Sequence, residues 1–211
     1  LPGYVTVVLI MQLLWWFGIH GPNVMSAVTT PFMTKMMATN LELYQSGEGV
    51  TASGVFYTAG SKYSIIANPF ASGWFSSTGS GITMGLIVAI MLFSKRDDFK
   101  AIAKLSIPCG IFNINEPIIF GIPMVMNAMF AVPFFLTPVA CVCCGYLVQY
   151  LGLCPLFVID VPWTTPIGLF GFLASSGNIM GGIWQIVIIV GVSTLIYTPF
   201  VIAANRQEAE A

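Results

Sequence analysis

The sequence predicts an all-α integral membrane protein, with several transmembrane helices plus one or two re-entrant, proline-broken hairpins. Two features of composition lead there. Of 211 residues, 57% are apolar and 7% charged, whereas soluble domains average about 25% charged; the mean hydropathy is +0.89. A third feature is local. Residues 106–153 hold a single charge, Glu116, yet Pro108, Pro117, Pro123, Pro133 and Pro138 interrupt them. Each proline removes a helix donor and clashes with the preceding turn. Broken backbone survives at membrane depth only where protein buries it or it lines a cavity.

The same numbers exclude other classes. Seven Lys and Arg against eight Asp and Glu leave no basic excess for a nucleic-acid partner, and no low-complexity tract points to disorder or a fibre. A crossing takes about 20 residues, so the chain has room for at most about seven or eight.

Taken in order, Tyr4–Ile19 is the first apolar run, ending at Gly18-Ile19-His20-Gly21-Pro22. No charged segment precedes it and no small-residue cleavage site follows, so it does not read as a signal peptide. The chain is expected to enter in mid-protein. Residues 24–38 are mixed. Residues 39–64 are the most polar and read as a loop or short amphipathic pieces. Gly81–Phe93 is a helix candidate that spans only by borrowing from the segment before it. Residues 94–104 carry Lys95, Arg96, Lys100 and Lys104, four of the seven cations. The positive-inside bias puts this segment in the cytoplasm, and Phe99, Ile102 and Leu105 recur at helical spacing. Residues 108–138 are expected to form a re-entrant hairpin or discontinuous helix, with 139–153 part of a crossing. A second irregular apolar stretch covers 154–178. Ile179–Ala204 is the clearest span, followed by Arg206 and the acidic Glu208 and Glu210.

Few residues in this background can carry chemistry. The five cysteines lie in apolar stretches; Cys141 and Cys144 have C-x-x-C spacing but no second pair and no nearby His, and read as packing residues. Glu116 and Asp160 are the acids deepest in apolar sequence, where an ionisable group costs at least about 2.5–3.5 kcal/mol and usually lines a path. Glu116 stands in FNINEPIIFGIP beside Asn113, Asn115 and a helix-breaking proline, a combination suited to a hydroxylated ligand. Asp160 reads rather as a helix cap. His20 is the only histidine, lies between glycines, and cannot hold a metal alone. Trp163 in VPWTTP offers a flat face for a sugar ring, while Trp15 reads as packing or belt. Proteolysis is disfavoured: Ser77-Thr78-Gly79-Ser80-Gly81 lacks the Gly-x-Ser-Gly order, and a second membrane aspartate is missing.

Four stretches resemble the membrane-embedded C component of the bacterial sugar phosphotransferase system, in its lactose/cellobiose/diacetylchitobiose group. They are WWFGIHGPNV (15–24), TGSGITMGL (78–86), FNINEPIIFGIPMVMNAMFAVPFFLTP (112–138), and VPWTTPIGLFGFL with IYTPF (161–173, 196–200). The resemblance implies the C-terminal, substrate-binding half of a multi-pass permease of the bacterial cytoplasmic (inner) membrane. A β-linked disaccharide would cross and receive phosphate on its 6-hydroxyl from a phosphocysteine of a phosphorylated B component. Glu116 matches the family's glutamate that contacts this hydroxyl, and His20 its histidine at the same site; Asn115, Trp163 and Trp15 match substrate-contacting positions. The resemblance implies no cofactor or metal, no independent catalysis, and a homodimer in the full-length protein. Departures are Asn127-Ala128 for the family's Asn-Pro and Thr78-Gly79 for its double glycine. Two other readings stay open at this point: a disaccharide-binding module that does not transport alone, and a proton-coupled carrier using Glu116 and His20.

Overall fold

A computed structural model describes the backbone of residues 1–209 and the side chains of 1–206. The side chains of Glu208 and Glu210 lie outside the described residues. The helices are α1 (Pro2–Trp16), α2 (Gly21–Gln45), α3 (Asn68–Trp74), α4 (Met84–Phe93), α5 (Asp97–Ile111), α6 (Glu116–Gly121), α7 (Ala128–Tyr150), α8 (Leu169–Ala174), α9 (Ile179–Ile186) and α10 (Ser193–Ala209). A π-helical turn, Val187–Val192, joins α9 to α10 without a break. The described strands are an antiparallel pair, β1 (Val50–Thr51) and β2 (Gly54–Val55), with Val50 opposite Val55.

Two helices among the described residues are long and apolar enough to cross a bilayer, Ala128–Tyr150 and Ile179–Arg206. Large apolar side chains point outward from several elements; Leu105 is 76% and Leu195 75% exposed, which suits lipid better than water. The half-length helices pack around these two. Met84–Phe93 has ten residues, about 15 Å at 1.5 Å per residue and half a hydrocarbon core. It continues α3 only through an irregular turn. Gly81–Phe93 is expected to borrow length from the segment before it; the structure joins the two with a break between them.

The interior has two apolar clusters. In one, Trp74 of α3 stacks on Phe157 at 5.2 Å between centroids and lies against Gly145 of α7, where a Cβ would collide with the indole. In the other, Leu86 and Ile90 of α4, Ile118 of α6, Phe130 of α7 and Tyr197 of α10 are all buried.

Several expectations need correction. Residues 39–45 are not loop but the last turns of α2. Leu41, Glu42, Leu43 and Gln45 favour helix, and buried Asn40 fixes the end: its Nδ2 donates to the Ser64 carbonyl and its Oδ1 accepts the Ser64 amide, both at 2.8 Å. Pro133 and Pro138 do not break the chain, because α7 runs through both, and both are buried, with protein instead of lipid around the interrupted ladder. The real breaks in 108–138 fall at 112–115 and 122–127. Residues 97–111 are helical, but the buried stripe is Phe99, Ala103, Ser106 and Gly110, not Phe99, Ile102 and Leu105. Asp160 caps no helix; it is exposed on irregular backbone, accepting a long bond of 3.5 Å from Asn68 Nδ2.

The basic segment and the end of α10 meet. Asn205 Nδ2 donates to the Phe93 carbonyl at 2.9 Å, and its Oδ1 accepts the Lys95 amide at 2.8 Å. Arg206 and residues 94–104 therefore lie at the same end of the molecule. Beside this tie, Arg96 pairs with Asp98 at 2.6 Å and holds that carboxyl below its ordinary range through the hydrogen bond.

The α4–α10 contact depends on Gly85. A Cβ there would fall on the side chain and backbone of Ser193. Backbone cannot yield as a flexible side chain does, so Gly85→Ala should destabilise the protein by about 1–3 kcal/mol, the usual cost of overpacking. Thermal unfolding in detergent, with the exposed Gly3→Ala as a neutral control, measures it.

Candidate functional site

The turn after α1, residues 75–80, residues 113–115 and the loop bearing Trp163 converge on one cavity of about 810 Å³. This is within the roughly 300–1,000 Å³ of pockets that hold small molecules. Trp15, His20, Asn115, Glu116 and Trp163 all line it, although the chain delivers them from three distant stretches. Asp160 does not.

His20 reaches the cavity because α1 and α2 cross closely. Gly21 sits against the Met11 carbonyl, where any Cβ would collide, and the chain turns between the helices at Gly18, φ +78°. His20 is the N-cap of α2: its Nδ1 accepts the Asn23 amide at 3.2 Å. A neutral ring so bonded carries its proton on Nε2, leaving that nitrogen as a donor. Trp15 is buried beneath, with its ring 4.9 Å from the imidazole and 6.5 Å from Phe120. The Trp15 indole Nε1 has no hydrogen-bond partner among the described residues.

Glu116 opens α6, and Asn115 is its N-cap residue. The glutamate is exposed, open to the cavity and not enclosed by apolar side chains. Asn115 is buried and donates from Nδ2 to the Ser80 carbonyl at 2.6 Å. It packs on Gly79 so closely that no side chain fits there. Thr78, Gly79, Gly81 and Ile82 all have positive φ. The 78–82 turn is therefore strained at its two β-branched residues, and strain of this kind persists only where surroundings over-determine it.

Asn113 supplies much of that surrounding. It too has positive φ, +66°. Its Oδ1 accepts the Thr78 amide at 2.7 Å, and its Nδ2 donates to the carbonyls of Trp163 at 2.5 Å and Thr165 at 2.9 Å. One amide thus pins the 78–82 turn, the loop before α6 and the loop carrying Trp163. Trp163 itself is 54% exposed, its ring free to meet a ligand.

The titratable groups lining the cavity are Glu116 and His20, accompanied by amide and hydroxyl side chains, among them Asn23, Ser26, Ser76 and Ser80. One acceptor carboxylate, one imidazole donor, hydroxyls and open indole surface suit a neutral polyhydroxylated molecule, with no Lys or Arg to hold an anion. Among the described residues no three His, Cys, Asp or Glu side chains gather to hold a metal.

The family model described as "Phosphotransferase system, EIIC" matches residues 1–138. The chain belongs to that family. Two relatives of this EIIC chain are the PTS system cellobiose-specific EIIC component of Lactococcus lactis subsp. lactis (strain IL1403) and the PTS system oligo-beta-mannoside-specific EIIC component of Bacillus subtilis (strain 168). The first is 36% identical over 96% of this chain and 42% of its own length; the second is 33% identical over 94% and 42%. The crystal structure of the transporter ChbC, the IIC component from the N,N'-diacetylchitobiose-specific phosphotransferase system, superposes with a TM-score of 0.87 at 34% identity. That match covers 98% of this EIIC chain and 45% of ChbC. The chain thus spans less than half the length of the relatives it matches.

Sequence reasoning singled out the five cavity residues above but treated Asn113 only as a neighbour of Glu116. Its signal was present: an asparagine in an apolar, proline-bounded stretch is a candidate for positive φ and for pinning irregular backbone. Asn113→Ala should leave the Thr78 amide and two carbonyls unpaired, destabilising by about 1–3 kcal/mol for each group that water cannot reach. Faster hydrogen exchange at Thr78, with the thermal midpoint as a second readout, checks it.

Proposed function

We propose that the cavity is the sugar site of a phosphotransferase-system permease: it receives a β-linked disaccharide, which crosses the membrane and is phosphorylated on its 6-hydroxyl by a phosphorylated B component. The observation that carries this is the convergence of Glu116, His20 and Trp163 on one open, cation-free cavity. The names of the relatives, cellobiose, oligo-beta-mannoside and diacetylchitobiose components, support the substrate class.

The residues have distinct tasks in this reading. Trp163 and Trp15 meet the apolar faces of sugar rings, and His20 Nε2 and Asn115 hydrogen-bond to hydroxyls. Glu116 accepts the 6-hydroxyl proton as that oxygen attacks phosphorus. The new O–P bond forms as the partner's S–P bond breaks, and the partner's cysteine leaves as thiolate. The phosphoryl group comes from the partner, so this chain alone phosphorylates nothing. The basic segment 94–104 and Arg206 face the cytoplasm, and in the longer protein two copies associate in the bacterial cytoplasmic membrane.

The test uses the full-length permease. Saturable binding of cellobiose, lactose or diacetylchitobiose is expected, weakened by His20→Ala. With the phosphorylated partner present, Glu116→Gln should still bind sugar but lose transfer by about 10²–10⁴, the usual worth of a general base. Uptake that needs no phosphorylated partner and follows a proton gradient would overturn the reading in favour of a proton-coupled carrier.

A further inference from the structure

Gln185 lies on α9, is fully buried, and does not line the cavity. All four of its amide bonds are nevertheless made. Oε1 accepts the amides of Gly168 at 2.9 Å and Gly171 at 2.8 Å. Nε2 donates to the Gly73 carbonyl and to Ser77 Oγ, both at 3.0 Å. Ser77 in turn donates to the same Gly73 carbonyl at 2.7 Å.

The position of these partners gives the bonds meaning. Gly168 is the N-cap of α8 and has no side chain with which to cap. A helix start needs an acceptor for its first free amides, and Gln185 provides it from a different helix. Gly73 and Ser77 flank the end of α3, where free carbonyls need a donor, and Nε2 provides that. Glycines make the approach possible. A Cβ at Gly171 would collide with the Gly181 carbonyl, and one at Gly182 with the Gly168 carbonyl.

Each capped end runs directly into a cavity wall. The α3 end continues into Ser76, Gly79 and Ser80, and the α8 start follows the loop bearing Trp163. We infer that Gln185 is a positioning residue for the sugar site: by capping the end of α3 and the start of α8 with one amide, it fixes the distance between the 76–80 wall and Trp163. Asn113 ties the same two segments at the cavity surface, and Gln185 ties them from behind. The inference rests on the sugar-site reading for its affinity readout only.

The experiment compares Gln185→Met with Gln149→Met in the full-length protein. Gln149 is equally buried and donates to the Pro155 carbonyl at 3.0 Å, away from the cavity. Gln185→Met should speed hydrogen exchange selectively in residues 72–80 and 163–171 and weaken disaccharide affinity by about tenfold, the effect of roughly one hydrogen bond's free energy. Gln149→Met should leave both unchanged. Gln185→Glu retains an acceptor for Gly168 and Gly171, so protection of 163–171 should return. Should Gln185→Met fail to fold, Ser77→Ala removes one of the Nε2 bonds and applies the same test to 72–80. Exchange that rises uniformly over the chain, or affinity unchanged in a variant whose two segments have loosened, overturns the inference. Wild-type protein that binds none of cellobiose, lactose and diacetylchitobiose overturns the sugar reading instead, and the exchange pattern still decides whether Gln185 is the clamp.

Discussion

Backbone that leaves the helix inside an apolar interior must find its hydrogen bonds elsewhere, because lipid offers none. This one constraint organises the molecule. The irregular segments around the cavity, 75–83, 112–115 and 162–168, and the helix ends that flank them hold polar groups that no helix ladder satisfies. Three side-chain amides take them up: Asn113 for Thr78, Trp163 and Thr165, Asn115 for Ser80, and Gln185 for Gly73, Gly168 and Gly171. Neutral amides suit this work. Each both donates and accepts, and none carries the desolvation cost of a charge. The cavity follows from the constraint, since broken segments that are braced from one side leave their other side open.

Charge placement fits the same logic. The described ion pairs, Lys62–Glu48 and Arg96–Asp98, stand on polar, accessible segments. Within the apolar body, Glu116 and His20 face open space, where water or a ligand can solvate them.

Much of this was legible in the sequence. Composition and proline density gave the all-α membrane class and the two irregular regions; the rarity of ionisable residues in apolar sequence isolated Glu116 together with Asp160, and the family resemblance added His20. The rest was hidden for physical reasons. Pro133 and Pro138 read as breaks because sequence does not reveal that α7 is buried at both. Asp160 read as a cap because Pro162 beside it looks like a helix boundary, whereas the next helix starts only at Leu169. Asn113 lies in the FNINEP stretch but carries no charge to set it apart, and Gln185 stands out neither by charge nor by motif. Their roles consist of bonds to backbone 14 to 112 residues away, and no local pattern encodes such pairings.

The π-helical turn at Val187–Val192 has a geometric effect on the long helix that contains it. Twelve residues separate Gln185 from Tyr197, which in an uninterrupted α-helix would place them about 120° apart around the axis. An i→i+5 turn takes up one residue more than an α turn and sets the later face back by about 100°. Gln185 and Tyr197 then point in nearly the same direction. Tyr197 indeed donates to the Gly81 carbonyl at 2.7 Å, and Gln185 to Gly73 and Ser77. The bulge works as a phase shifter: one rod, rewound by a single residue, grips both ends of the same broken segment. Its length in residues, more than its composition, is therefore the quantity that cannot drift.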